Sequence, residues 1–372
     1  MMFDRTTAAV ETTRYYVREF YRRVSYYVEK RRNGYRDRGS LEAAAEAILA
    51  ARAETGLAAG GHFRGVWPRD VCFSARGLEA AGYGDLVAET GRWLLERLSD
   101  VFYTDFHDRY AAATPSEGVD TFPAIVHLLA ESGRLTAHAP AIADLAARHR
   151  ETFVDLETGL VTGSGSSWWD SAAQPRETYN TVMLLAAIEH LEERGVETAL
   201  TGESGRVRDA LYSRLWNGRY FDERRGSSVL ACDANVVALY LGVVDDDRAA
   251  SIVDSLDRLE TPHGLCMRDR PFSRSEVHPF FLLHRDYHFH VWPWNSFMYA
   301  IGLRRYGFHE RARAEMDRLE TLLSQYGTFL EVCTLEGEPY VKRGYATAAD
   351  FTVAAALWTE YDREWRGTYS TN

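Results

Sequence analysis

Apolar residues recur at intervals of three and four along most of this chain, which is the spacing of helices with one buried face and not the alternation of strands. The pattern predicts a leading helix over about residues 8–32 and twelve more: Leu41–Arg52, Val71–Ala81, Leu86–Leu98, Phe122–Glu131, Ala139–Arg150, Thr181–Glu193, Ser204–Trp216, Asn235–Val244, Ala249–Leu259, Trp294–Tyr306, Ala312–Leu323 and Ala348–Tyr361. Strand signals are few and short, at Phe153–Thr162 and Gly218–Val229, and read as hairpins set between helices. In the leading helix Val17, Phe20, Tyr21, Val24, Tyr27 and Val28 share one stripe, expected to pack on the body of the protein or on a partner subunit, so a homo-oligomer through this helix is open.

Every second helix begins near Asp70, Asp120, Thr178, Asp233, Trp292 and Ala346, at intervals of 50, 58, 55, 59 and 54 residues. A near-constant period of helix pairs marks a repeat architecture. Six antiparallel pairs close into an all-α (α/α)6 toroid over residues 41–372, with residues 1–40 as a leading helical segment. In such a double ring the six turns that lead into inner helices share one rim. The unusual clusters fall in those turns: FRGVWPRD, EGVDTFP, SSWWDSAAQPR, CDAN, DYHFHVWPWN and GTFLE. The turns at the other rim, such as AAGYGD and LGVVDDD, read as ordinary connectors. A rim lined with indoles, carboxylates and guanidiniums suits a sugar, whose C–H faces stack on rings and whose hydroxyls take forked hydrogen bonds.

Composition narrows the classes. The 372 residues are 46% apolar and 13% aromatic, which argues against disorder. No apolar run is long enough to cross a membrane. The first 40 residues carry +5 and the remainder −16, for a net −11, and so acidic a body repels nucleic acid. The first ten residues lack a secretory pattern, and the four cysteines are too scattered for a zinc ribbon or a disulfide scaffold, so a reducing cytoplasm is expected. No cofactor is expected.

Inverting glycoside hydrolysis needs one protonated and one ionised carboxyl about 6.5–9.5 Å apart. Asp170 and Glu331, in the third and sixth turns, are the best pair. Trp168 and Trp169 beside Asp170 would raise its pKa, as a general acid requires, and Glu331 is a lone acid in an apolar stretch. Trp67, Arg69, Asp70 and Asp120 are candidate sugar contacts, with helix capping the competing role for Asp120. Arg176, Asn180, Asp233 and Asn235 are weaker candidates, and Trp292 and Trp294 form a candidate stacking wall. His278, His284, His288 and His290 cluster without a familiar metal spacing; His288 and His290, two apart on an extended segment, would point the same way, and sugar contact by His288 is preferred to a metal site.

In order, WPRD, VDTFP, WWDS…PRETYN, YHFHVWPWN and GTFLE resemble the six-hairpin glycosidases over roughly residues 60–361, and are most similar to the glucosidase domain of glycogen-debranching enzymes, with glucoamylases, trehalases and processing glucosidases as relatives. The resemblance implies Asp170 as general acid, Glu331 as general base, and Arg69 with Asp70 as a grip on the terminal sugar. WWDS stands where the relatives have Trp-Met-Asp-Ala, and HFHV where they have a small residue after the first His. Two rival readings remain: a sugar 2-epimerase on the same barrel using His288 or His290, and a sugar-binding protein with a decayed site.

Overall fold

The computed structural model describes residues 2–98, 118–163 and 172–366. The described residues form thirteen α-helices: α1 (Met2–Asn33), α2 (Leu41–Thr55), α3 (Pro68–Ala80), α4 (Gly84–Arg97), α5 (Thr121–Glu131), α6 (Ala139–Phe153), α7 (Glu177–Glu193), α8 (Ser204–Arg214), α9 (Cys232–Leu241), α10 (Asp246–Leu256), α11 (Pro293–Arg305), α12 (His309–Ser324) and α13 (Thr352–Glu360). Local chemistry fixes several ends. The Ser40 hydroxyl accepts from the Ala43 amide at the start of α2, Asp245 accepts from Arg248 at the start of α10, and Pro68 and Pro293 sit in the first turns of α3 and α11.

Packing sorts the helices into two rings. α3, α5, α7, α9, α11 and α13 each contact the next, and α13 returns to α3, closing the inner ring. α4, α6, α8, α10 and α12 lie behind them and α2 packs on α13. Burial follows: every residue from Thr121 to Ala130 on α5 and from Cys232 to Tyr240 on α9 is buried, whereas α4 buries only the stripe Val87, Thr90, Gly91 and Leu94. A helix apolar all round needs neighbours on every side, and an amphipathic one needs a single wall, so the two sequence types can only be inner and outer. The fold is the (α/α)6 toroid expected from the repeat. Its seam is tight: a Cβ on Gly77 of α3 would overlap the Ala356 carbonyl of α13.

Three local expectations are corrected. The helix expected from Ala348 begins only at Thr352, because residues 348–349 are extended: Leu330 bridges Ala349, and the Glu331 amide donates to the Ala348 carbonyl at 2.9 Å. The two expected hairpins reduce to the single bridges Val154–Val161 and Trp216–Phe221, while paired strands occur elsewhere, as β1 (Glu260–Thr261) with β2 (Gly264–Leu265) and β3 (Val341–Lys342) with β4 (Tyr345–Ala346). The aromatic stripe of α1 is not the face that meets the barrel. Val17, Phe20 and Tyr21 are 63%, 72% and 74% exposed and Val28 is exposed too, with Val24 and Tyr27 half-buried. The face turned inward carries Tyr26, whose hydroxyl accepts from the Ala349 amide at 2.9 Å, and Arg23, 6.0 Å from the Phe63 ring centre. The barrel there presents strand backbone, which requires hydrogen-bonding partners more than apolar cover. After α1, Arg38 forks onto Asp350 at 2.8 and 2.7 Å. No helix of the described residues is long and apolar enough to cross a membrane.

Candidate active site

The turns into the inner helices bring carboxylates, guanidiniums and rings to one rim. Glu331 sits on the extended segment paired with residues 348–349 and is buried. Its carboxylate accepts from the Tyr287 hydroxyl at 2.7 Å, from the Tyr345 hydroxyl at 2.8 Å and from the Ala348 amide at 3.3 Å. The two phenol oxygens also lie 2.8 Å from each other. Burial pushes the Glu331 carboxyl up to about 7 against the lowering effect of these hydrogen bonds, with Asp70 adding to the rise.

Beside it, Asp70 in the first turn of α3 pairs with Arg69, whose Nε is 2.8 Å and Nη2 2.6 Å from one carboxylate oxygen, both residues being buried. The Arg69 guanidinium lies 5.7 Å from the Trp294 ring. Burial opposes the charge on Arg69, but Asp70, Tyr179 and Asp120 outweigh it and hold the group protonated. Asp120 occupies the N-cap position of α5 yet makes no side-chain cap; it accepts from the Tyr179 hydroxyl at 2.7 Å. Its carboxylate is thus drawn into the ring's interior and away from the helix end, which removes the capping role as its explanation. Trp67 caps α3 without a side-chain bond and meets Phe63 edge-on at 5.3 Å. Trp292 donates its indole N–H to the Tyr287 carbonyl at 3.2 Å and stands 5.8 Å from Trp294, so both indoles wall the Glu331 side.

Arg176 has a different place from the one expected of a sugar contact. Its guanidinium grips both Asp233 oxygens at 2.7 and 2.8 Å and Glu223 at 2.6 Å, all three residues being buried. Arg268 extends the chain of alternating charge from Glu223 to Glu276 at 2.9 Å. This network ties the starts of α7 and α9 to the intervening loops. Asn180 is buried within the first turn of α7, and Asn235 is occupied by Phe221 and Ala231 backbone. His288 is buried and stacked on Trp292 at 4.8 Å; desolvation, with Arg176, Arg268 and Arg69 nearby, holds it well below its usual pKa and therefore neutral. Tyr287–Phe289 form a 3-10 turn, so the segment is not extended and His288 and His290 part ways, His290 turning to within 3.6 Å of Asp286. His284 shares Tyr340 with His290, its Nδ1 lying 3.3 Å from the Tyr340 hydroxyl and the His290 ring 5.1 Å from the Tyr340 ring. Trp168, Trp169 and Asp170 lie outside the described residues.

The sequence reading missed Tyr287, Tyr345, Glu223 and Arg268. Tyr287 stood inside the quoted DYHFHV cluster; the others carry no local signal. A surface cavity lined by Ala81, Tyr83, Thr359 and Arg363 lies at the far ends of α3 and α13, away from this chemistry.

No protein-family model matches the chain, and no curated protein matches it in sequence. Solved structures match it in shape. A glycosidase superposes with a TM-score of 0.68 at 14% identity over 87% of this chain and 95% of its own. A GH63 mannosylglycerate hydrolase from Thermus thermophilus, in complex with Tris and D-glycerate, gives 0.64 at 16% identity over 87% of this chain and all (100%) of its own. A rhamnosidase from Klebsiella oxytoca with rhamnose bound gives 0.64 at 13% identity over 87% of this chain, which spans only 64% of the rhamnosidase. These likenesses place the fold among the (α/α)6 glycosidase barrels. Nothing in these likenesses points specifically to a debranching glucosidase.

Proposed function

We propose that the protein is an exo-acting, inverting glycoside hydrolase of the cytoplasm that releases a terminal, α-linked, glucosyl-type residue. Asp170 protonates the departing oxygen and Glu331 takes the proton of the attacking water. Trp67, Arg69, Asp70 and Asp120 hold the terminal sugar, and Trp292 and Trp294 form the wall beside the base. Glu331 is the observation that carries this reading: a buried carboxyl that burial raises to about 7, held by two phenols in the turn before an inner helix, suits a group that takes a proton from water. The glycosidase barrels it superposes on support the same chemistry. The sealed, neutral His288 stacked on Trp292 gives the 2-epimerase reading less support than the hydrolase reading. The mannosylglycerate hydrolase among the neighbours puts small glycosides of hydroxy acids in the test beside α-linked oligosaccharides.

Proton NMR of such a panel reports both the substrate and the anomer formed first. A β-anomer appearing first from an α-linked substrate is the expected result; isomerised sugar without chain shortening would establish the epimerase. Glu331→Gln is expected to lower kcat about a thousandfold with the circular dichroism spectrum unchanged, and Asp170→Asn to do likewise. Full turnover by Glu331→Gln would remove Glu331 from the mechanism.

A further inference from the structure

At the rim opposite the sugar-binding turns, α5 and α7 bring together two histidines and a glutamate that nothing in the hydrolase reading uses. His127 and Glu131 are one turn apart on α5, and His190 faces them from α7. One ring nitrogen of each histidine and one carboxylate oxygen of Glu131 lie within 4.8 Å of one another, with His127 Nδ1 and His190 Nε2 only 2.9 Å apart. Glu131 is the last residue of α5 and Asp120 immediately precedes its first, so the cluster is about 15 Å from the sugar-binding rim.

We propose that His127, Glu131 and His190 bind a divalent transition-metal ion, zinc above all, that clips α5 to α7. Two imidazoles and one carboxylate suit zinc, leaving a fourth position for water. Bonds of about 2.0–2.2 Å in a tetrahedral site put ligand atoms about 3.3–3.6 Å apart, so separations of up to 4.8 Å must close by about an ångström while the 2.9 Å histidine pair opens slightly, a rearrangement that side-chain rotation has to supply. The surroundings are those of a held ligand set. Arg76 fixes the Glu131 carboxylate at 2.7 and 3.1 Å and leaves each oxygen a second lone pair. Glu193 stands 3.9 Å from His190 Nδ1, beyond hydrogen-bond reach, and that buried ring nitrogen makes no hydrogen bond. Carboxyls outnumber cations around the cluster: Glu79, Glu193, Glu360 and Glu364 join Glu131 against Arg76, Arg194 and Arg305. Glu131 and His190 are partly exposed, so an ion has a way in. The alternative arrangement is a hydrogen bond between two neutral imidazoles beside an Arg–Glu pair, with no ion.

The test is isothermal titration of the full chain, stripped with a chelator and dialysed, with zinc sulfate. One zinc per chain at micromolar affinity or tighter is expected, with an affinity about a hundredfold weaker in His190→Ala, whose fold is checked by circular dichroism. If that variant does not fold, His190→Gln replaces it. No stoichiometric binding at zinc about a hundredfold above a micromolar Kd, or equal binding by wild type and variant, would overturn the proposal. Glycosidase activity plays no part in the readout, so this outcome is independent of the hydrolase reading.

Discussion

Glu331 shows how one residue can be both legible and incomplete in a sequence. A lone acid in an apolar extended stretch stands out, because an idle carboxyl would not be kept from water. What tunes it does not stand out: Tyr345 lies 14 positions further on, across a pairing of residues 330 and 349 that no periodicity announces. Tyr345 stabilises the ionised carboxylate by donating to it, and burial opposes that. With Glu331 as the proposed base, which works only when ionised, kcat/KM should rise with pH through about 7, the value burial imposes on Glu331. Tyr345→Phe removes a bond that lowers this value, so the rising limb should move to higher pH by about one unit. A pH profile of the variant that overlays the wild type would show that Tyr345 does not set the charge of Glu331. Arg176 teaches the converse. Its position before an inner helix made it a sugar candidate, but its partner Glu223 is 47 residues away, and only the fold shows that its donors are already engaged.

Elements were more legible than residues, since a helix advertises itself through a dozen positions at once. All thirteen helices carry the predicted periodicity, and their ends moved by a few residues where a cap or a pairing decided the matter, as at Thr352. The short strands were not legible: β3 and β4 are two residues each, too few for alternation to register. How inner helices approach one another also escapes a periodicity reading. Gly77 looks like a weak point in a helix, yet its missing Cβ is what allows α3 to lie against the Ala356 backbone of α13. Gly77→Ala would improve helix propensity and still be expected to destabilise the protein, by about 3 kcal/mol, because the backbones on both sides of the seam must part. Thermal unfolding should register a loss of roughly 6 °C. An unchanged or higher melting temperature would mean that the seam yields freely. The same reasoning singles out Gly302 on α11, where a Cβ would press on Leu239 of α9 at 2.9 Å.

At the scale of the whole molecule, ring closure does two jobs. It buries six helices on all sides without any sheet to lean on, and it turns one end of every inner helix toward a common rim, so residues as far apart in sequence as Asp70 and Glu331 feel each other's charge. Closure leaves α1 outside the ring, attached at the point where the site is built. Tyr26 satisfies the Ala349 amide, next to the residue whose amide contacts Glu331, while Tyr35 donates to the Thr347 carbonyl at 3.3 Å. A chain lacking residues 1–33 keeps every inner and outer helix, so its barrel should fold and melt cooperatively. It loses the acceptor for the Ala349 amide, and with it one brace of the segment that faces Glu331. The expected result is a fall in kcat of about tenfold, an effect of displacing the proposed base by a fraction of an ångström, with a smaller change in KM because the proposed sugar contacts on α3 and α5 remain. Tyr26→Phe isolates the same bond without removing the helix and should reproduce the direction of the change. A truncated chain with wild-type kcat would mean that α1 rests on the rim without bracing the base.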